Sequence, residues 1–231
     1  MPESHSKEIR NLAMFADMED SYFEALMRGA YVQNFPTRID LITEGETPDF
    51  LHIVIEGSVD LFSTWNGRET SMATVRPVST FILAATIKNA PYLMSARTLE
   101  KSRIVLLPSE DVRSIFEKDN AFARAIVTEL SQCYRAVVKN TKDLKLRTSR
   151  ERLANYLLRQ RNRMHSDTFD LTMEKRRLAS FLGMTPENLS RAFKGLDPYG
   201  VKVNGNQIQI TDLDDLTHFA KPSPLIDDYS S

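Results

Sequence analysis

One run near the C-terminus constrains this chain more than any other: Gly183-Met184-Thr185-Pro186-Glu187-Asn188-Leu189-Ser190-Arg191-Ala192-Phe193. Gly183 suits a turn that needs an unusual backbone angle. Thr185 is a good N-cap, and Pro186 fits the first helical position, where its missing N–H costs nothing. The helix that follows divides into two faces. Leu189, Ala192, Phe193 and Leu196 recur at i, i+3, i+4 and i+7 and make one apolar side. Glu187, Ser190 and Arg191 recur at i, i+3 and i+4 and make a polar side. Arg can bind guanine O6 and N7, Glu can accept from cytosine N4, and Ser can reach several groups. This is the chemistry of a helix that reads base edges. A capped surface helix with a solvated face would carry the same short pattern, so the flanking segments have to separate the two readings.

Upstream, Lys175-Arg176-Arg177 opens another helical run, with Leu178, Ala179, Phe181 and Leu182 apolar and small Ala179 where two helices would cross closely. Downstream, residues 201–210 alternate on both sides of Asn204-Gly205, a strong hairpin signal. Helix, turn, helix and hairpin predict a winged helix-turn-helix. In it, Glu187, Ser190 and Arg191 would read bases of double-stranded DNA, and Lys175 and Thr185 would contact phosphates.

The net charge of -1 hides an asymmetry. Residues 145–211 hold 13 of the 30 Lys+Arg and 6 of the 31 Asp+Glu, a balance of 13 − 6 = +7, which leaves 17 − 25 = -8 for the remainder. A basic C-terminal half joined to an acidic N-terminal half fits a nucleic-acid-binding module attached to something else. Cys133 is the only cysteine, so no disulfide can form within the chain and a reducing cytoplasm is the default. No apolar run reaches the ~20 residues of a membrane span, and the N-terminus lacks a signal-peptide pattern. An enzyme is not expected, since no phosphate loop, nucleophile elbow or metal-ligand cluster is present. Asp214-Asp215 open a helix, where acidic residues suit the dipole.

The N-terminal part opens with a predicted amphipathic helix carrying Leu12, Phe15, Met18, Tyr22, Phe23, Leu26 and Met27 on one face. Short strands follow to about residue 107. Residues 50–55, 59–62, 93–98 and 103–107 read as strands, with turns at 44–49 and 56–57 and a hairpin tip at 65–68. Such spacing predicts a small all-β barrel or sandwich. A long helical stretch is predicted over 109–146. Phe122, Ile126, Leu130, Cys133, Val137 and Leu144 form a seam on it with steps mostly of three and four, which is coiled-coil spacing. Packing of the seam on the chain's own β module is the alternative. Thr148-Ser149-Arg150-Glu151 matches a capping box, so a new helix starts there and a hinge is expected near 139–148. Residues 221–231, with Pro222 and Pro224, read as a surface extension.

Glu44-Gly45-Glu46, the strand after it, Glu56-Gly57-Ser58-Val59 and the later helix resemble the cyclic-nucleotide-binding β-roll. With the winged helix, nearly the whole chain resembles the cyclic AMP receptor protein/FNR (Crp/Fnr) superfamily of bacterial transcription regulators. Thr185-Pro186-Glu187-Asn188-Leu189-Ser190-Arg191 is similar to the FNR type of recognition helix, whereas the cyclic AMP receptor type carries an additional Arg where Pro186 stands. A finer likeness is to the FtrB-like and HbaR-like branch. The resemblance implies an α+β chain. A β-roll effector domain (double-stranded β-helix or jelly roll) would occupy 1–108, a dimerisation helix and hinge 109–147, a winged helix-turn-helix 148–220 and a tail 221–231. It also implies a homodimer on an inverted repeat with half-sites like TTGAT, and RNA polymerase as a partner.

The departures from that family matter as much. Its cyclic AMP receptors hold the ribose with the Glu of a Gly-Glu pair and the cyclic phosphate with the Arg of a later Arg-Ser. Here Ile82 stands in the place of that Glu and Met94 in the place of that Arg. An apolar pocket strips an anionic phosphate of hydration and offers it no charge-assisted partner, so cyclic AMP is rejected as ligand. An iron–sulfur cluster needs about four thiolates, which Cys133 alone cannot supply. What remains is a small apolar or aromatic effector lined by Thr80, Phe81, Ile82, Leu83, Met94 and Ser95, or a roll filled by its own side chains. Of His5, His52, His165 and His218, only His52 lies in the roll. It leaves haem open as an axially ligated cofactor, beside the ordinary reading of a strand histidine bonded to a neighbour. No cofactor is firmly implied, and no spacing suggests a metal. The rival functions are a haem-based gas or redox sensor and a ligand-independent protein-interaction module.

Overall fold

The computed structural model describes residues 3–228. Its contacts divide the chain into two compact units, with the boundary between Ser131 and Gln132.

The first unit begins with helices α1 (Glu3–Arg10) and α2 (Asp20–Arg28). Eight strands follow: β1 (Tyr31–Phe35), β2 (Asp40–Ile42), β3 (Phe50–Glu56), β4 (Val59–Trp65), β5 (Arg68–Val75), β6 (Ser79–Phe81), β7 (Ser95–Thr98) and β8 (Ser102–Pro108). Helix α3 (Leu83–Lys88) lies between β6 and β7, and α4 (Ser109–Phe116) and α5 (Asn120–Leu146) come last. The strands form two antiparallel sheets of four, in the orders β1-β8-β3-β6 and β2-β7-β4-β5. This is the expected β-roll.

The pleat decides which side chains go where. Successive residues of a strand point to opposite faces. Leu51, Ile53 and Ile55 of β3 join Val105 and Leu107 of β8 in an outer core with Phe15, Leu26, Phe122 and Ile126 of the helical segments. Val54 instead faces an inner core with Leu61, Phe81, Ala96 and Ile104. Both faces of β3 are therefore covered, which explains why its sequence does not alternate between apolar and polar residues and is apolar from Phe50 to Ile55 except at His52. Each large apolar side chain buried in this way contributes about 1.5–3 kcal/mol. At the β4–β5 tip both Asn66 and Gly67 have positive φ, as a type I′ turn requires.

Two helical predictions are corrected. The N-terminal amphipathic pattern is not one helix. Residues 11–18 lie in turns between α1 and α2, although Phe15 and Met18 are buried. The long stretch 109–146 is broken at residues 117–119. Asp119 causes the break: one carboxylate oxygen accepts the Phe122 N–H at 2.7 Å and the other accepts the Glu19 N–H at 2.8 Å. It caps α5 and ties its start to α2.

The second unit contains the end of α5, then α6 (Ser149–Met164), β9 (Thr168–Asp170), α7 (Lys175–Phe181) and α8 (Pro186–Leu196). A 3-10 turn (Asp197–Tyr199), β10 (Val201–Asn204), β11 (Gln207–Ile210), α9 (Leu213–Ala220) and α10 (Pro224–Asp227) complete it. Leu153, Leu157, Leu178, Leu189, Phe193 and Ile208 are central in its core. The capping box is present as predicted: the Thr148 hydroxyl accepts the Glu151 N–H at 3.3 Å, and the Glu151 carboxylate accepts the Thr148 N–H at 2.7 Å. The wing hairpin turns one residue later than Asn204-Gly205. Asn204 pairs with Gln207, and of the two loop residues only Gly205 has positive φ, the arrangement of a type II′ turn.

Two ionic features organise this unit, and the sequence hides both. Arg152, 8% exposed, donates to the carbonyls of Leu182 (2.9 Å), Gly183 (3.3 Å), Arg147 (2.8 Å) and Leu144 (3.4 Å). One planar guanidinium thus serves both the end of α5 and the turn between α7 and α8. Arg147 is the second. It pairs with Asp143 at 2.8 Å and with both carboxylate oxygens of Asp227, at 2.8 and 2.6 Å; Arg159 adds a bond to Asp227 at 2.8 Å. Burial alone would raise the Asp227 carboxyl, but these bonds and the Ser223 N–H hold it below the usual range. Lys139 donates to the Asp228 carbonyl as well. The predicted surface extension is therefore corrected: as far as it is described, the tail packs on the end of α5, with Ile226 buried and Asp227 in an ion network. Residues 229–231 lie outside the described part. Residues 132–146 belong to the same compact unit as the winged helix.

Candidate nucleic-acid interface and effector domain

Helix α8 presents the two faces that its sequence predicts. Leu189, Ala192, Phe193 and Leu196 are buried, while Glu187, Ser190 and Arg191 are exposed together on the opposite side. Thr185 caps the helix by accepting the Asn188 N–H at 3.2 Å, and Pro186 occupies the first turn. Gly183 has φ +62°, where glycine is favoured, and a Cβ there would lie 2.6 Å from the end of the Leu144 side chain, which would have to shift. The Glu187 carboxyl is held below its usual range by its own backbone N–H, by the Thr185 hydroxyl and by Arg191, so it is an acceptor at neutral pH. Lys175 is exposed at the start of α7, its ammonium 5.7 Å from the centre of the Phe193 ring.

The sequence reading missed Asn188. Its Oδ1 accepts a 2.5 Å hydrogen bond from Arg191, which holds the guanidinium in place on the helix surface. The i, i+3 spacing of the two residues was the available signal. In the wing, Lys202 is held by Asp197 at 2.8 Å.

The proposed effector lining does not converge on one cavity. Phe81, Ile82 and Met94 do lie in or against the inner core. Thr80 is on the other face of β6, as the pleat demands, and donates to Glu129 of α5 at 3.3 Å. Leu83 turns into the outer core because Ile82, at φ +62°, redirects the chain into α3. Ser95 accepts the Glu44 N–H at 3.0 Å. Neither Ile82, whose left-handed backbone precedes α3, nor Leu83 at the start of that helix carries a carboxylate. His52 is 5% exposed and stacks on Phe81 with ring centres 4.9 Å apart. Its Nδ1 has no hydrogen-bond partner, and burial pushes its pKa down to about 4, so it is a neutral core side chain at pH 7. Among the described residues, no group of three or more His, Cys, Asp or Glu could hold a metal ion, and no helix is long and apolar enough to cross a membrane.

The α5 seam also needs correcting. Phe122 and Ile126 are fully buried and Leu130 is partly buried, all against the β-roll, so the intramolecular alternative holds for them. The large apolar side chains that α5 exposes are Val127, Tyr134, Val137, Val138, Leu144 and Leu146; Cys133 is exposed as well.

Comparison with known proteins agrees with both modules. Residues 32–119 match the model of the cyclic nucleotide-binding domain, and residues 151–219 match that of the Crp-like helix-turn-helix domain. The chain is 25% identical to the CRP-like cAMP-activated global transcriptional regulator of Mycobacterium tuberculosis, over 90% of this chain and 96% of that protein. It is 22% identical to the transcriptional activator protein anr of Pseudomonas aeruginosa, over 92% and 91%. The structure of FixK2 from Bradyrhizobium japonicum has the same fold, with a TM-score of 0.68 and 21% identity over 84% of this chain and 98% of that one. A cyclic-nucleotide-binding-type roll followed by a winged helix with an exposed reading face defines a DNA-binding regulator with a ligand-binding domain, not an enzyme. The chain belongs to the Crp/Fnr family of transcription regulators.

Proposed function

We propose that the chain is a homodimeric transcription regulator of the FtrB-like and HbaR-like branch, working in the reducing cytoplasm and recruiting RNA polymerase from an inverted-repeat DNA site. Its effector is a small apolar molecule other than cyclic AMP. The observation that carries the DNA reading is the joint exposure of Glu187, Ser190 and Arg191 on α8, over a face that is otherwise buried. Two half-sites in successive major grooves lie ~34–36 Å apart, so one winged helix cannot read both and a twofold partner is needed. Val127, Tyr134, Val137 and Val138 offer the partner an apolar helical surface. The Mycobacterium tuberculosis relative is named for activation by cAMP. This chain has Ile82 and Met94 where a cyclic nucleotide would need a carboxylate and a guanidinium, which supports a different effector.

The test is a DNA titration on duplexes with paired TTGAT-like half-sites, against scrambled duplexes, across a salt series. Binding should favour the paired sites by ~10³ or more and weaken steeply with salt. Equal affinity for both duplexes would overturn the reading.

A further inference from the structure

A recess of about 230 Å³ lies on the outside of the β-roll, in the first unit. Residues 11–15 between α1 and α2 form one wall, β6 forms another, and α5 closes the third. Met14, Phe15, Ile53 and Val78 make it largely apolar. Among the described residues its only charged lining residue is Glu129. Glu129 is half-buried, and among the described residues the one hydrogen bond that reaches its carboxylate is a long one, 3.3 Å from the Thr80 hydroxyl. Among the described residues it has no ion pair.

A half-buried carboxylate with one weak donor has lost hydration without full replacement. The partner that restores the balance is a cation with several N–H donors. We propose that this recess is a binding site for a small organic cation, a primary ammonium on an apolar body. The ammonium would donate to both Glu129 oxygens and to the Thr80 hydroxyl oxygen, using its three donors. The body would lie against Met14, Phe15 and Ile53. The volume is below the ~300–1,000 Å³ of sites for drug-sized ligands, so the ligand is fragment-sized. This site is separate from the inner core of the roll, where Phe81 and Met94 lie. It does not depend on the DNA reading. A ligand here would join the N-terminal segment, β6 and α5, three elements that are distant in sequence.

The probe is 2-phenylethylamine, titrated at pH 7 into the full chain and followed by calorimetry and by NMR of the amine. Saturable binding with one site per chain is expected. Glu129→Gln should weaken it at least tenfold, and 2-phenylethanol, of the same shape without the charge, should bind at least tenfold more weakly than the amine. Val78→Trp is the second variant: Val78 is 57% exposed, so the change is tolerated by the fold and fills the mouth of the recess. It should abolish binding while circular dichroism stays unchanged. Absence of saturable binding by the amine, equal binding of the alcohol, or full affinity in Glu129→Gln would each overturn the proposal.

Discussion

The ion network at the tail makes the sharpest stability prediction. Asp227 accepts two bonds from Arg147, one from Arg159 and one from the Ser223 N–H, all between 2.6 and 2.8 Å. Asp227→Ala removes them together. Breaking a fully buried ion pair by deleting one partner costs about 3–5 kcal/mol, because the other charge is left without compensation. Here the cost is lower for two reasons. Arg147, with a side chain 7% exposed, keeps Asp143 at 2.8 Å, and Arg159 is exposed enough to turn towards water. About 2–3 kcal/mol is the expected loss. For a unit of this size each kcal/mol moves Tm by about 4–8 °C, so a drop of about 10 °C or more should appear in the transition that contains the winged helix. The pH dependence follows from the depressed folded pKa of Asp227. Its contribution is complete above the unfolded value of about 3.9 and disappears as pH falls through the folded value. The gap between wild type and variant should therefore be constant from neutral pH to about pH 5 and shrink below about pH 4. Urea denaturation of both proteins across that range is the assay. A gap under about 0.5 kcal/mol at pH 7, or one that persists undiminished at low pH, would refute the network as a stabilising element.

Five further outcomes concern function. Arg191→Ala should cost ~1–3 kcal/mol on a specific site and relax preference at one guanine, whereas equal losses on specific and random DNA would remove its base-reading role. Asn188→Ala should reduce the same preference more mildly and leave random-sequence binding unchanged, since Asn188 acts by holding Arg191; quantitative titration on base-substituted sites checks both. Lys175→Ala should weaken all sequences about equally and flatten the salt slope by about one. Calorimetry with millimolar cyclic AMP should be flat. Tyr134→Glu should give a monomer with an intact β-roll and little specific affinity, read by sedimentation and DNA titration on one sample; Leu130→Glu is the poorer test, because Leu130 also packs on the roll.

Local chemistry was the most legible part. Thr185, Pro186 and Gly183 announce their helix and turn because caps and positive φ act over a few residues. The four buried residues of α8 follow from periodicity alone. Side-chain partners far apart in sequence were not legible. Arg152 and Asp227 look like surface charges until the fold brings carbonyls and arginines to them. The α5 seam was read with the right residue types, but one helix has two apolar faces, and periodicity does not say which one meets the roll.

Arg152 also bears on how accurately bases can be read. Discrimination depends on holding the reading atoms to within about 0.5 Å, and that tolerance is spent on the supporting structure before any base is touched. Because one rigid guanidinium clamps the last turn of α5 to the turn before α8, angular play at the root of the reading helix is small. A lysine has three donors on a flexible stem and cannot span both sets of carbonyls. Arg152→Lys should leave random-sequence affinity nearly intact while the ratio of specific to random binding falls, so precision and grip would separate at a residue that never meets DNA.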